Sequence, residues 1–302
     1  MILLALSIFP ESVKFLRTVD LGTGSGNGKL TKLLFGKKKT VPVKPSSIFL
    51  INEQVIGMTD QINGEVLIAG QKGKIKSRIK KIKRNALVSP VSGCSDGSGG
   101  FYVSDSSLKV VAGFSDKFKF RKVLISYQTG RITGISYYRN KLFCTDTDNH
   151  KIVIISGNGK IINEFGRRGT GKSEFNFPTH IAVDEDTVYV TDSLNFRIQM
   201  FDHKGGFKGM FGKNGKRGGD FSKPKGIAVD SKKRIFVTDV MFDNVQVFDI
   251  AGRFLSYFGG PGKGQGQFWM PSGIVIDKND IIYIADTYNS RLQVFKVVNG
   301  EK

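Results

Sequence analysis

The sequence predicts an all-β chain, a six-bladed β-propeller of four-stranded antiparallel blades. Three observations carry that expectation. Residues 175–295 repeat one pattern three times: Phe177-Pro178-Thr179-His180-Ile181-Ala182-Val183-Asp184, Val188-Tyr189-Val190-Thr191-Asp192 and Arg197-Ile198-Gln199-Met200-Phe201-Asp202 return from Lys223 and again from Met270. A Thr/Ser/Ala-Asp pair closes the second strand of each copy, and its aspartates, Asp60, Asp105, Asp146, Asp192, Asp239 and Asp286, follow one another at intervals of roughly 41 to 47 residues. The last copy stops after Val298 without a fourth strand. Four short apolar runs per period, split by Gly, Asp and Asn turns, make one small sheet per repeat. One such sheet cannot bury both of its faces, so the copies stack radially.

The first repeat begins at Pro45, with strands Ile48–Ile51, Val55–Met58 and Glu65–Ala69 and a basic outer strand over Ile75–Ile82. The second begins at Pro90, passes through Ser92-Gly93-Cys94-Ser95 and Asp96-Gly97-Ser98-Gly99-Gly100, and recovers its pattern at Phe101-Tyr102-Val103-Ser104-Asp105. The third holds Gly134-Ile135-Ser136, Leu142–Asp146 and Ile152–Ile155, and the last three repeats are regular. Val13-Lys14-Phe15-Leu16-Arg17-Thr18-Val19 alternates apolar and polar residues and belongs to no other blade. It is expected to supply the missing outer strand and so remove an unpaired sheet edge. Lys29–Phe35 offers a rival, because Phe35-Gly36 echoes Phe165-Gly166 and Phe211-Gly212; its alternative is a short helix on Leu30, Leu33 and Leu34 ended by Gly36. The expected organisation is an apolar segment over 1–12, one propeller over 13–298 with a Gly/Lys-rich linker and short helix within 20–44, and a tail over 299–302.

The chain has 302 residues, 24 Phe, 37 Gly and a formal net charge of +20. Phe suits stacked sheets and Gly suits tight turns. The positive charge attracts polyanions without specifying a fold. Cys94 and Cys144 fall in strand contexts of different repeats and are expected to be free and buried. Met1–Phe9 is too short to span a bilayer. It reads either as the tail of an export signal that starts upstream, giving an extracytoplasmic protein, or as an apolar terminus packed on the propeller of a cytoplasmic one.

The pattern Pro-x-Gly-Ile-Ala-Val-Asp, Val-Tyr-Val-Thr-Asp, Asn-x-Arg-Ile-Gln-x-Phe resembles the NHL repeat, closely over 131–298 and more loosely over 45–130. Phe9-Pro10-Glu11, Phe15-Leu16-Arg17 and the Gly-rich loop also resemble a bacterial subgroup of exported six-bladed NHL propellers, some encoded near multihaem cytochromes. Zinc-dependent amidating lyases related to this family place several His at inner-strand starts. Here those positions carry Ser46, Thr179, Lys225 and Ser272, and a single central His cannot make a three-ligand site.

The repeated Asp60, Asp105, Asp146, Asp192, Asp239 and Asp286, with Asn149, Asn195, Asn289, Arg197 and Arg291, read as turn residues; Asp and Asn hold turn backbone, and Arg pairs with a neighbouring blade's acid. Blade 5 has Phe242 and Asn244 at the Asn and Arg positions, and a looser turn is expected there. His180 stands where later repeats have Gly226 and Gly273, and is expected to line the central channel. No catalytic, metal or cofactor set assembles from the motifs.

Loops that join an outer strand to the next inner strand emerge on one face. They carry Lys37, Lys38, Lys39, Arg167, Arg168, Lys172, Lys213, Lys216, Arg217, Lys225 and Lys263, the candidate anion- or partner-binding residues. The sequence reading is therefore a non-enzymatic binding scaffold, taken as a monomer, whose basic loop face docks an acidic protein or anionic polymer in an extracytoplasmic redox or surface assembly. An RNA-binding propeller is the alternative, followed by a lyase or hydrolase centred on the channel.

Overall fold

Asp192 accepts from the backbone N–H of Asn176 at 2.7 Å and from Asn195 Nδ2 at 2.8 Å, which ties the loop entering blade 4 to that blade's own turn. The same device recurs at Asp60 with Lys44 N and Ile62 N, at Asp105 with Val88 N and Ser107 N, and at Asp286 with Trp269 N and Asn289. These aspartates are buried because each is saturated by local N–H donors. The turn that follows places Lys109, His150, Phe196, Asp243 and Ser290 at φ of 52–58°, and Gly64 at 58°. Five side chains accept a left-handed conformation because the turn between the second and third strands requires it.

A computed structural model describes residues 13–21, 42–127 and 130–298. They form six four-stranded antiparallel sheets. The inner strands are Pro45–Asn52, Pro90–Ser95, Ile132–Tyr138, Pro178–Val183, Pro224–Val229 and Pro271–Ile276. In blades 1 to 5 the four strands follow in sequence order. In blade 6 the outer strand is Val13–Asp20, antiparallel to Arg291–Val297, with Phe15 opposite Phe295 and Asp20 opposite Arg291. The chain thus closes as the alternating pattern predicts. A register shift between Phe15 and Arg17 turns Leu16 out to solvent, while Val13 and Val19 remain buried. The proposed helix over 29–35 and the segment 1–12 lie outside the described residues.

Apolar clusters fill the spaces between neighbouring blades. Phe201, Phe248 and Phe295 are buried, with Phe165, Phe211 and Phe258 at 4.6–5.0 Å from one of them by ring centroid. The irregular second repeat has a packing reason. Phe49 lies over the backbone of Gly57 and Gly93, where an added Cβ would come within 2.2–2.3 Å of its ring. Gly93 therefore admits the neighbouring aromatic side chain. Cys94 and Cys144 are free, and burial raises both thiols above their ordinary range.

Candidate functional site

The second-strand residue preceding each aspartate reaches across to the next blade. Thr59 donates to Val91 O at 3.1 Å, Ser104 to Thr133 O at 3.2 Å, Thr145 to Thr179 O at 3.2 Å, Thr191 to Lys225 O at 2.9 Å and Thr238 to Ser272 O at 2.7 Å. Blade 6 has Ala285 there; its junction with blade 1 uses Ser272 Oγ to Ser46 O at 2.7 Å and Thr287 Oγ1 to Pro45 O at 2.7 Å. A belt of hydroxyls thus fixes the inner strands around the channel mouth. The Thr/Ser-Asp pair was visible in sequence, but the acceptor of its hydroxyl was not.

Next to the belt, the channel wall has Ser47, Ser92, Gly134, His180, Gly226 and Gly273, around a cavity of about 240 Å³ whose deeper wall is apolar. The glycines are required by close approach: a Cβ on Gly226 would stand 2.3 Å from Ser272 O, and one on Gly273 would stand 2.7 Å from Ile48 N. His180 is the large side chain of this ring. Its Nδ1 is buried without a hydrogen-bond partner. Burial, then the charge of Lys225, pushes its imidazole down to about 3. Burial, then the charge of Lys223, pushes the Lys225 amine down to about 8. His150 instead stacks edge-on against Phe177, and His203 packs beside Tyr138 and Phe143. Among the described residues, no group of three or more His, Cys, Asp or Glu is placed to hold a metal ion.

The alternation of strands puts the outer-to-inner loops on the same face as His180 and Lys225. Arg168, Lys172, Lys213, Lys216, Arg217 and Lys263 are exposed there. Lys172 stands over Phe207 and Lys263 over Trp269, at 5.7 and 5.6 Å from the ring centres. Arg167 is committed to Glu174. Lys37, Lys38 and Lys39 lie outside the described residues. Cations are not confined to this face: Lys72, Lys117, Arg139, Lys160 and Lys204 are exposed on the opposite one. The asymmetry lies in the acids. Glu53, Asp116, Glu185, Asp186 and Asp202 are exposed opposite, whereas the exposed acids on the loop side among the described residues are Asp148, paired with Arg131, and Asp20 and Glu164 at strand ends.

Arg197 and Arg291 differ from expectation in their partners. Each pairs with the aspartate of its own blade, Asp192 at 2.8 Å and Asp286 at 2.6 Å. The rest of each guanidinium donates to loop carbonyls: Thr170, Gly171 and Glu174 for Arg197, and Lys263, Gly264 and Gln267 for Arg291. A neighbouring blade's acid is not involved, because the Gly-rich loop already folds its carbonyls around the arginine.

Closure and blade count define the class: a six-bladed β-propeller. The NHL repeat family matches residues 268–295, and a family described as a 6-bladed beta-propeller matches residues 125–188. Among curated proteins, none matches the chain. Similar solved structures include a streptogramin B lyase (13% identity, 86% of this chain and 96% of that chain, TM-score 0.64). A gluconolactonase from Xanthomonas campestris is similar at 14% identity, over 85% of this chain and 87% of that chain, with a TM-score of 0.65. A chain of a nidogen–laminin complex is similar at 20% identity, over 91% of this chain and 98% of that chain, with a TM-score of 0.61. These likenesses establish the fold. They also correct the sequence reading that the protein is not an enzyme: a lyase and a lactonase are built on this same propeller, so lack of a recognised motif is no ground for excluding catalysis. No helix among the described residues is long and apolar enough to cross a membrane.

Proposed function

We propose that this protein is a binding propeller whose loop face seats an anionic ligand, an acidic protein or an anionic polymer, over the mouth of the central channel. The observation that carries this reading is the imbalance on that face: Arg168, Lys213 and Lys216 are exposed and have no carboxylate partner among the described residues, while most acids sit opposite or are buried in turns. A rim of one sign around a low-dielectric opening focuses its field on an approaching anion. Single-stranded RNA is less favoured, because Phe175, Phe221 and Phe268 are fully buried and leave the exposed Trp269–Tyr288 pair as a short stacking surface rather than a run of them. The test is titration with a sulfated polysaccharide, a polyglutamate and an RNA oligonucleotide, using the intact chain and a variant carrying Arg168→Glu, Lys213→Glu, Lys216→Glu and Lys263→Glu. The reading expects salt-sensitive binding to at least one of the first two ligands and a loss of more than about tenfold in the variant. Unchanged affinity rejects it.

A second reading places a small molecule in the channel itself. It is favoured by His180, whose Nδ1 faces no partner in the cavity wall, and by Lys225, whose amine is pushed down to about 8 and whose charge acts on His180. Such an amine suits an anionic or carbonyl-bearing ligand.

A further inference from the structure

Three consecutive Gly-rich loops, those entering blades 4, 5 and 6, share one backbone arrangement. Phe221 N donates to Lys213 O and Phe268 N to Gly260 O, both at 2.8 Å. Gly169, Gly215 and Gly262 each donate back to the carbonyl of Phe175, Phe221 and Phe268, at 2.9–3.3 Å. In each case a glutamine of the third strand, Gln199, Gln246 or Gln293, donates to the loop carbonyl of Glu174, Asp220 or Gln267. In blades 4 and 6 this arrangement closes around a guanidinium. Arg197 Nη1 lies 2.6 Å from Thr170 O, and its Nη2 lies 2.8 Å from both Gly171 O and Glu174 O. Arg291 makes the matching bonds to Lys263, Gly264 and Gln267 at 2.7–2.9 Å.

Blade 5 keeps the loop and lacks the arginine. Asn244 stands in its place, too short to reach the loop, and its Oδ1 is buried without a partner. The loop positions equivalent to those carbonyls are Lys216, Arg217 and Asp220. Asp239, fully buried and equivalent to Asp192 and Asp286, has no cationic partner among the described residues. A cavity of about 300 Å³ occupies the space, lined by Lys216, Arg217, Phe242, Asn244, Gln246 and Tyr257 among others. Two of its walls are aromatic where the other blades are not. Phe242 replaces the asparagine, and Tyr257 replaces Met210, whose sulfur lies 3.4 Å from Arg197 Nη1. Aromatic faces suit a planar, weakly hydrated cation.

We propose that the blade 5 cavity is a binding site for a guanidinium group supplied from outside the chain, the arginine side chain of a peptide or a free guanidino compound. The ligand repeats the bonds that Arg197 and Arg291 make internally: it donates to Lys216 O, Arg217 O and Asp220 O, faces Asp239, and stacks on Tyr257. Asp239 accepts from the backbone N–H groups of Ser222, Lys223 and Met241 but lacks the positive charge that its equivalents in blades 4 and 6 have, and Asn244 Oδ1 is buried without a donor; an entering guanidinium supplies both. The ammonium and guanidinium of Lys216 and Arg217 carry the same sign as the ligand. The selectivity therefore rests on the planar fork of the guanidinium rather than on net charge, and an ammonium is expected to bind poorly.

The test uses the full chain at fixed ionic strength. N-acetyl-arginine amide is expected to raise the thermal unfolding midpoint saturably, following one-site linkage, while N-acetyl-lysine amide does not. Asn244→Arg fills the cradle from within; it should raise the midpoint and abolish the arginine response. If that variant misfolds, Tyr257→Ala, at a half-exposed position, should weaken arginine binding by roughly threefold to tenfold. An equal response to the lysine compound overturns the proposal, as does an arginine response undiminished in the variants that fold. Titration with agmatine and with an arginine-containing hexapeptide separates the sources: tighter binding of the first supports a free guanidino ligand, and of the second a protein segment.

Discussion

The Thr191 hydroxyl donates to the carbonyl of Lys225 across the junction between blades 4 and 5, at 2.9 Å. The bond ties a residue of the repeat signature to a residue of the channel mouth, so the same side chain that holds the ring together also sets the position of Lys225. Thr191 is fully buried and isosteric with valine. Thr191→Val should therefore leave the core filled while stranding an acceptor, at a cost of about 1–2 kcal/mol. Urea unfolding with an unchanged m-value measures it; no shift in midpoint would mean the belt is incidental.

The closure of the ring gives a contrast within one strand. Val19 is buried, beside Gly73, where an added Cβ would come within 2.3 Å of Val19 Cγ1, while Leu16 three residues earlier points to solvent. Val19→Asp should cost about 3 kcal/mol or more and promote loss of the N-terminal strand from blade 6. Leu16→Asp should stay within about 0.5 kcal/mol. Thermal unfolding and susceptibility of the N-terminal segment to protease read both. Similar behaviour of the two variants would deny the strand its closing role.

Much of this was legible in the residues. The period gave the blades, and the alternation in Val13–Val19 gave the closing strand. The partners of Arg197 and Arg291 were not legible. Their acceptors are backbone carbonyls of a loop some twenty to thirty residues away in sequence, and a carbonyl has no letter in the sequence. The distribution of charge was half legible: loop cations could be counted, but their asymmetry arises from where the acids fall on the opposite face. The exclusion of catalysis failed for a different reason, since this fold accommodates chemistry without a short linear motif.

Arg291 offers the converse of the blade 5 vacancy. Replacing it by asparagine, as at Asn244, removes the ion pair to Asp286 and the bonds to Lys263, Gly264 and Gln267. Asp286 keeps Trp269 N, Asn289 and Gln293 as donors but loses its counter-ion, and the three loop carbonyls lose the guanidinium. Arg291→Asn should cost about 3–5 kcal/mol. A loss below about 1 kcal/mol, measured by denaturant unfolding, would show that this loop tolerates an empty cradle at no expense.

His180 should impose an acid limb on stability. Its folded-state value, pushed down to about 3 chiefly by burial, lies below the ordinary 6.5. Between those values the unfolded chain binds a proton that the folded one does not. The stabilisation is therefore complete above about pH 6.5 and is lost progressively as pH falls toward 3, by an amount on the order of a few kcal/mol. His180→Ser, which installs the residue found at Ser47 and Ser92, should flatten that limb. An identical pH dependence of the unfolding midpoint in both proteins would remove His180 as its source.

Lys225 supplies the last prediction, and it bears on the channel. With its amine pushed down to about 8, roughly half is neutral at pH 8. A lysine ammonium in free solution is neutral there in only about one molecule in a few hundred. Limiting acetic anhydride at pH 8, small enough to enter the mouth beside His180, should acetylate Lys225 ahead of Lys204, as read by peptide mass spectrometry. Lys223→Gln removes the neighbouring positive charge that adds to the depression. The Lys225 amine should then be more protonated at pH 8 and its acetylation slower, although access to the channel is not reduced. If the substitution leaves the rate unchanged and Lys204 reacts first, Lys225 is an ordinary ammonium, and the channel reading loses its nucleophile.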